Sequence, residues 1–283
     1  MTGEAADAAA VLGMDRRAAA ALLDRLADRG WPAERRERHG GWILRAAGGV
    51  TKRANSALPA GPVDDVDAAL AAVEAFARTH GMPACVQVSP ASEPADLASS
   101  LAARGYVADA RTLVQVADAD AVARRLGEAR GGDPALEVTV ADAPDDAWLD
   151  AWWSVDGRGG SVERAVARGI LTGGPAVYAA VRERAADGSA GRVLATARLA
   201  LVDGWGGLFA VATRPEARRR GLSRAAMAAA VAAGRERGIT ALWLQVLEGN
   251  AGARALYAGL GFASASRYEY WTRGGRLTRP VIA

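Results

Sequence analysis

Residues 207–221 read G-L-F-A-V-A-T-R-P-E-A-R-R-R-G, and Leu222 and Ser223 then open an alanine-rich helix. The apolar run predicts a strand over 206–212, and the spacing after it predicts a helix over 223–237. The loop between them holds five arginines from Arg214 to Arg224 against one acid, Glu216. A strand-to-helix loop gathers backbone N–H groups at the positive end of a helix dipole, which suits a phosphate. Gly221 lets the backbone approach an anion without a Cβ in the way. A solvated basic helix start would carry the same residue types.

Reading outward, strands are predicted at 137–140, 176–182, 193–202, 241–246 and 264–272. Helices are predicted at 145–155, 162–171 and 251–260. The breaks ADGSAG and DGWG have hairpin length and composition. The first half reads as helix 15–29, strand 42–45, an extended run 50–58, helix 63–79, strand 85–88, helix 94–104 and strand 107–116. A charged, Gly-containing stretch, 118–135, reads as a linker that opens with a short helix. Residues 94–107, PADLASSLAARGYV, and 250–263, NAGARALYAGLGFA, share a helix–Gly–aromatic–strand ending at an offset of 156. That points to a duplicated unit, although any two αβ modules look alike at this level.

Composition narrows the chemistry. The chain has 283 residues, which suggests about two domains. One cysteine, Cys85, and two histidines, His39 and His80, exclude a disulfide framework, a zinc-finger site and an Fe–S cluster. They also argue against a Cys–His or Ser–His–Asp nucleophile. Lys52 is the sole lysine and no P-loop exists. A net charge of +3 is too mild to imply nucleic acid. No charge-free run reaches membrane-helix length, and the MTGEAADAAA start has no basic n-region. The cytoplasm is therefore the expected location.

From Asn250 to Phe262 the sequence is N-x-x-A-x-x-L-Y-x-x-L-G-F, with Ala253, Leu256, Tyr257, Leu260 and Gly261 in place. Together with Arg218-x-x-Gly221-x-Ser223, this resembles the GCN5-related N-acetyltransferase (GNAT) family. The likeness covers 137–272. Ser223 stands where the family usually has Gly or Ala. The fold class implied is α/β, or α+β: tandem GNAT-like domains, each with a mixed, mostly antiparallel sheet flanked by helices. The divisions read as an N-terminal helical segment (1–30), a degenerate GNAT-like domain (31–117), the linker and a cofactor-binding domain (136–283). The first half has Pro94 where Asn250 would be, Leu101 where Tyr257 would be, and ALPAGP in place of an arginine loop.

The resemblance implies acetyl-CoA as cosubstrate, no metal, and an amine acceptor of unknown identity. It implies a pyrophosphate cradle of Arg218, Arg219, Arg220, Gly221, Leu222, Ser223 and Arg224. It also implies pantetheine pairing along Phe209 and Val211, a contact from Asn250, and Tyr257 as the acid for the leaving thiolate. A core tyrosine would occupy the same motif position. Glu248, Asp156 and Asp203 are alternative proton relays for the acceptor amine. Trp153 is placed to face the acceptor, and Lys52, Arg53 and Asn55, polar groups in an otherwise apolar run, to line a cleft between the halves, with core packing or buried hydrogen bonding as the other reading. Other functions fit too: a non-catalytic acyl-CoA sensor or scaffold, or a mycothiol-synthase-like tandem acetyltransferase. A DNA-binding regulator fits poorly, because only some 14 residues precede the supposed recognition helix. The expected partners include no nucleic acid or membrane, and a monomer or a homodimer is equally compatible.

Overall fold

In the computed structural model, which describes residues 12–127, 133–184 and 190–274, Asp15 caps the long helix α1 (Arg16–Gly30) by accepting the Ala18 N–H at 2.8 Å. A hairpin follows, β1 (Arg35–His39) and β2 (Trp42–Ala46), with the short β3 (Leu58–Pro59) beside β2. The sequence reading has no strand at β1. RRERH has no apolar face, and the strand is held by its backbone pairing to β2. The run 50–58, expected to be extended, instead makes a 3₁₀ turn at Lys52–Ala54. Asn55 holds that turn. Its Oδ1 accepts the Ala47 and Gly49 N–H groups, and its Nδ2 donates to the Ala47 and Thr51 carbonyls.

Helix α2 (Val66–Thr79), β4 (Ala84–Val88), α3 (Leu97–Ala103) and β5 (Val107–Asp118) complete the first half. Helix α4 (Ala119–Gly127) lies in the stretch expected to link the halves, and it buries Ala119, Val122 and Leu126 against the body. The rest is β6 (Leu136–Ala141), α5 (Asp146–Asp156), α6 (Ser161–Thr172), β7 (Ala176–Arg184), β8 (Ala190–Val202), β9 (Trp205–Thr213), α7 (Leu222–Glu236), β10 (Ala241–Leu247), α8 (Ala251–Gly259) and β11 (Ala263–Arg273). The start of the chain, residues 128–132 of the expected linker and 185–189 of the ADGSAG break lie outside the described residues.

One eight-stranded sheet runs through both halves in the order β4-β11-β5-β10-β9-β8-β7-β6. Neighbours are antiparallel except β9 and β10. In each half a helix separates two strands that do not pair with each other: β4 and β5, then β10 and β11. The gap between β4 and β5 is filled by β11, and the gap between β10 and β11 by β5. The exchange is reciprocal and its register is symmetric. Val116 pairs with Ala263 and Val107 with Thr272, which interconvert under the offset of 156. Thr112 pairs with Tyr268, its own equivalent.

Side chains alternate across the sheet. Val177, Ala179 and Val181 face α4, α7 and α8, whereas Ala176, Tyr178 and Ala180 face α1, α5 and α6. A third cluster joins β2, α2, β4 and α3. Helix α1 serves both halves. Leu23 and Leu26 pack into the second half's core. On the first-half side Asp28 pairs with the buried Arg45, and Asp24 accepts from Gln87 and Ser89. No helix among the described residues is long and apolar enough to cross a membrane.

The interlock makes a prediction. A chain cut between residues 127 and 133 leaves each half missing the strand that fills its gap. Neither fragment alone should show a cooperative thermal transition by circular dichroism, while co-expressed fragments should copurify and melt together. A fragment that melts cooperatively alone would contradict the exchange.

Candidate active site

The parallel ladder between β9 and β10 ends at Leu208 and Leu244. Just beyond, Ala210 takes a left-handed φ of +50°, and the register on β8 shifts between Thr196 and Arg198. The Thr196 Oγ1 donates to the Ala210 carbonyl at 3.0 Å. The bulge steers β9 away, while β10 stays paired with β5 as far as Leu247. A wedge opens between the two strands. Phe209 and Val211 form one wall of the resulting cleft, and Gln245 and Leu247 another. Both halves line it: Trp31, Thr51, Lys52 and Arg53 from the first, and Trp152, Asp156 and Tyr257 from the second. Tyr268 and Tyr270 of β11 and Ala110 and Thr112 of β5 complete it.

At the start of α7 the chain makes a second, open groove. Arg219 and Gly221 both have left-handed φ, +62° and +76°. Gly221 is the N-cap and supplies no side-chain acceptor, so the first-turn amides are not capped by the protein. Arg218, Arg219, Gly221, Leu222, Ser223 and Arg224 line the groove, with Thr213 and Leu256 opposite. Arg220 does not line it. It pairs with Asp133 at 3.1 Å. A Cβ at Gly221 would meet nothing within 4 Å. Any side chain there costs backbone strain rather than a clash within the protein.

Asp156 and Tyr257 meet across the cleft. Burial pushes the Asp156 carboxyl up to about 7, opposed by a hydrogen bond from Trp152 and by the charges of Arg158 and Arg218. Burial also pushes the Tyr257 phenol up to about 12, and the charge of Asp156 adds to the rise. One buried carboxyl near neutrality thus faces one phenol that keeps its proton.

The family described as "Probable histone acetyltransferase Rv0428c C-terminal" matches residues 18–271. The chain belongs to this family. It is a GCN5-related N-acetyltransferase by sequence and by fold. The "Uncharacterized N-acetyltransferase YobR" of Bacillus subtilis (strain 168) is 26% identical over 248 residues, 88% of this chain and 96% of its own length. The "Probable histone acetyltransferase Rv0428c" of Mycobacterium tuberculosis is 30% identical over 217 residues, 68% of this chain and 63% of its own. A GCN5-related N-acetyltransferase from Kribbella flavida superposes with a TM-score of 0.63 at 20% identity, covering 91% of this chain and 97% of that one. A tandem GNAT protein from the clavulanic acid biosynthesis pathway gives 0.60 at 16%, covering 90% and 88%. At those identities the likeness is one of fold.

Several residues singled out from the sequence are held by other partners. Asn55 is fully buried and spends its amide on the 47–55 loop, so it braces the cleft wall without facing the cleft. Trp153 packs on Trp152 at 5.7 Å, and it is Trp152 that reaches the cleft. Glu248 lies 3.6 Å from Arg111 at the surface. Asp203 sits in the β8–β9 turn, paired with Arg29. Asn250 caps α8 by accepting the Ala253 N–H at 3.1 Å. Residues missed from sequence are Gln245, Tyr268 and Tyr270. The polar Gln245 within the apolar ALWLQVL was a usable signal. Among the described residues no cluster suits a metal ion, and Cys85 is buried with its thiol pushed up to about 11.

The raised Asp156 value carries a stability consequence. Between the ordinary 3.8 and about 7 the folded chain holds a proton that the unfolded chain releases. Wild-type stability contributed by this group therefore falls as pH rises across that window. Asp156→Asn should gain in melting temperature relative to wild type from pH 4 to pH 7. A difference independent of pH would contradict the burial.

Proposed function

We propose that the protein transfers an acetyl group from acetyl-CoA to an amine by direct attack in a ternary complex. The observation that carries this reading is the wedge between β9 and β10, lined by Asp156 and Tyr257, together with the uncapped start of α7 that follows β9. The α7 amides, with Arg219, Ser223 and Arg224, hold the pyrophosphate. The free edge of β9 at Phe209 and Val211 pairs with pantetheine as an added strand would. The amide nitrogen of Asn250 remains a donor toward the same arm.

Asp156 takes a proton from the acceptor ammonium, a task its near-neutral value suits. The freed amine forms the new C–N bond as the C–S bond breaks, and Tyr257 gives its proton to the thiolate. The second amine proton, released as the amide forms, restores Tyr257, and Asp156 returns its own to solvent. Protonating Asp156 removes the charge that raises Tyr257, so the base's work makes the acid stronger. A proximity effect adds to this, because a dry cleft holds both reactants in line.

Three measurements test the reading. Titration calorimetry should give one acetyl-CoA site per chain. Arg219→Glu should weaken that binding by about 10-fold or more, the scale of a lost charged hydrogen bond, and Arg220→Glu by clearly less. Equal losses would misplace the cradle. Tyr257→Phe should leave affinity nearly unchanged and lower kcat by roughly 10-fold or more. The rate should rise with pH through about 7 in wild type, and that limb should vanish in Asp156→Asn. No turnover with any amine would leave a binding protein in place of an enzyme.

A further inference from the structure

Arg53 lines the cleft, Arg198 lies in the core close to the same Trp31 and Phe209 rings, and among the described residues neither has a carboxylate partner. The Arg53 guanidinium carbon lies 5.1 Å from the Phe209 ring centroid and 5.4 Å from that of Trp31. Its Nε is buried and has no hydrogen-bond partner. Behind Phe209, Arg198 is fully buried. It donates to the carbonyls of Leu171 and Gly30, at 2.9 and 2.8 Å, and its second terminal nitrogen has no partner. Lys52, the adjacent cation, is already neutralised by Asp109 at 2.7 Å.

Two guanidinium groups stacked on rings in a poorly solvated wall repel each other, and ring faces offset that only in part. The fit is a planar anion, since a carboxylate takes two parallel bonds from a guanidinium. The same cleft carries groups of complementary character: Asp156 lines it, and so does Gln245, whose buried Oε1 lacks a donor. One cleft thus offers both an unpaired donor and acceptors. The phosphate groove at α7 is a separate surface with its own arginines, so the cofactor's phosphates do not account for Arg53.

We propose that the acceptor is a small amine that also carries a carboxylate, as a free amino acid does, with Arg53 binding the carboxylate and the amine directed to Asp156 and Gln245. This rests on the acetyltransferase reading above and adds the substrate class.

The test compares amino acids with their carboxamides, acetyl-CoA being the donor and CoA release the signal. Wild type should favour the acid by about 10- to 100-fold in kcat/KM, the range of one charged bidentate contact. In Arg53→Gln that preference should collapse toward unity, mainly through KM, and Arg53→Lys should restore part of it. The part of the chain's tryptophan fluorescence that is lost in Trp31→Phe, Trp31 being the ring against which Arg53 stacks, gives a readout without turnover. Equal use of acid and amide by wild type would overturn the inference while leaving acetyl transfer intact. So would a preference for lysine side chains in peptides. Loss in Arg53→Gln of succinyl-CoA use alone would put the carboxylate on the donor, and would overturn it too. If no amine is turned over, an Arg53-dependent fluorescence change with amino acids keeps the carboxylate site and removes the transfer reading. No such change removes both.

Discussion

Thr112 and Tyr268 face each other at the centre of the β5–β11 ladder, and the molecule is organised around that pairing. Each of these strands closes the other half's gap, so the sheet exists only when both are in register. A slip of one residue would turn every side chain to the wrong face. The ladder's irregularities lie between Ser264 and Ser266 and between Tyr268 and Tyr270. They flank the central pair, and the cleft draws Ala110, Thr112, Tyr268 and Tyr270 from the same stretch. The cleft floor is therefore a product of the exchange, and neither half can make it alone.

Helix α1 then sets the cleft's depth. Its end approaches the sheet so closely that a Cβ on Gly30 would come within 2.8 Å of Trp243 and 3.1 Å of Phe209. The Arg198 bond to the Gly30 carbonyl pins the same point. Trp31 is thereby seated against Phe209, 5.2 Å between ring centroids, and the 49–53 loop follows it to the rim. On its other side α1 is held by buried charge. Asp28 meets Arg45 and Arg36, and Asp24, pushed up to about 6 mainly by burial, meets Gln87 and Ser89. Breaking such a pair from one side costs about 3–5 kcal/mol, because the remaining charge is stranded. The network therefore favours one seating of α1 over its neighbours.

Local chemistry was legible in the sequence where one residue type does one job. The apolar strands β7 to β11 and Gly221 before α7 read directly, whereas Asp15, read as the first helical residue, is the cap of α1. The offset of 156 read from two helix endings reappears as the symmetry of the β5–β11 register. The reciprocal exchange was not legible, because periodicity says which face a strand buries and not which strand lies beside it. Strand β1 was invisible for want of an apolar face. Asn55 and Arg53 look alike in sequence, two polar residues in an apolar run. Four hydrogen bonds occupy Asn55 while Arg53 lines the cleft, a difference fixed by the 3₁₀ turn at Lys52–Ala54, which contains Arg53 and is followed by Asn55. Asp156 could not be told from Glu248 or Asp203 for the same reason: burial separates them, and burial is a tertiary property.

The two halves also differ in ways that fit the proposed cofactor site to only one of them. Helices α2 and α7 begin at Val66 and Leu222, 156 residues apart, so Asp65 and Gly221 are equivalent N-caps. The Asp65 carboxylate accepts the N–H groups of Asp67 and Ala68 at 2.8 and 3.2 Å. It fills with its own negative charge the place where an anion would bind, and it repels any other. Gly221 brings no side chain and leaves the equivalent amides open. Leu101, fully buried, replaces the phenol of Tyr257 at the matching point of α3. The parallel contact that precedes α2 is a single bridge, Ala57 to Val86, where β9 and β10 pair over four residues before they part. With no long parallel pair there is no wedge, and with a self-capped helix there is no cradle. What the first half keeps is its edge on the shared cleft, where the unpaired charge of Arg53 lies.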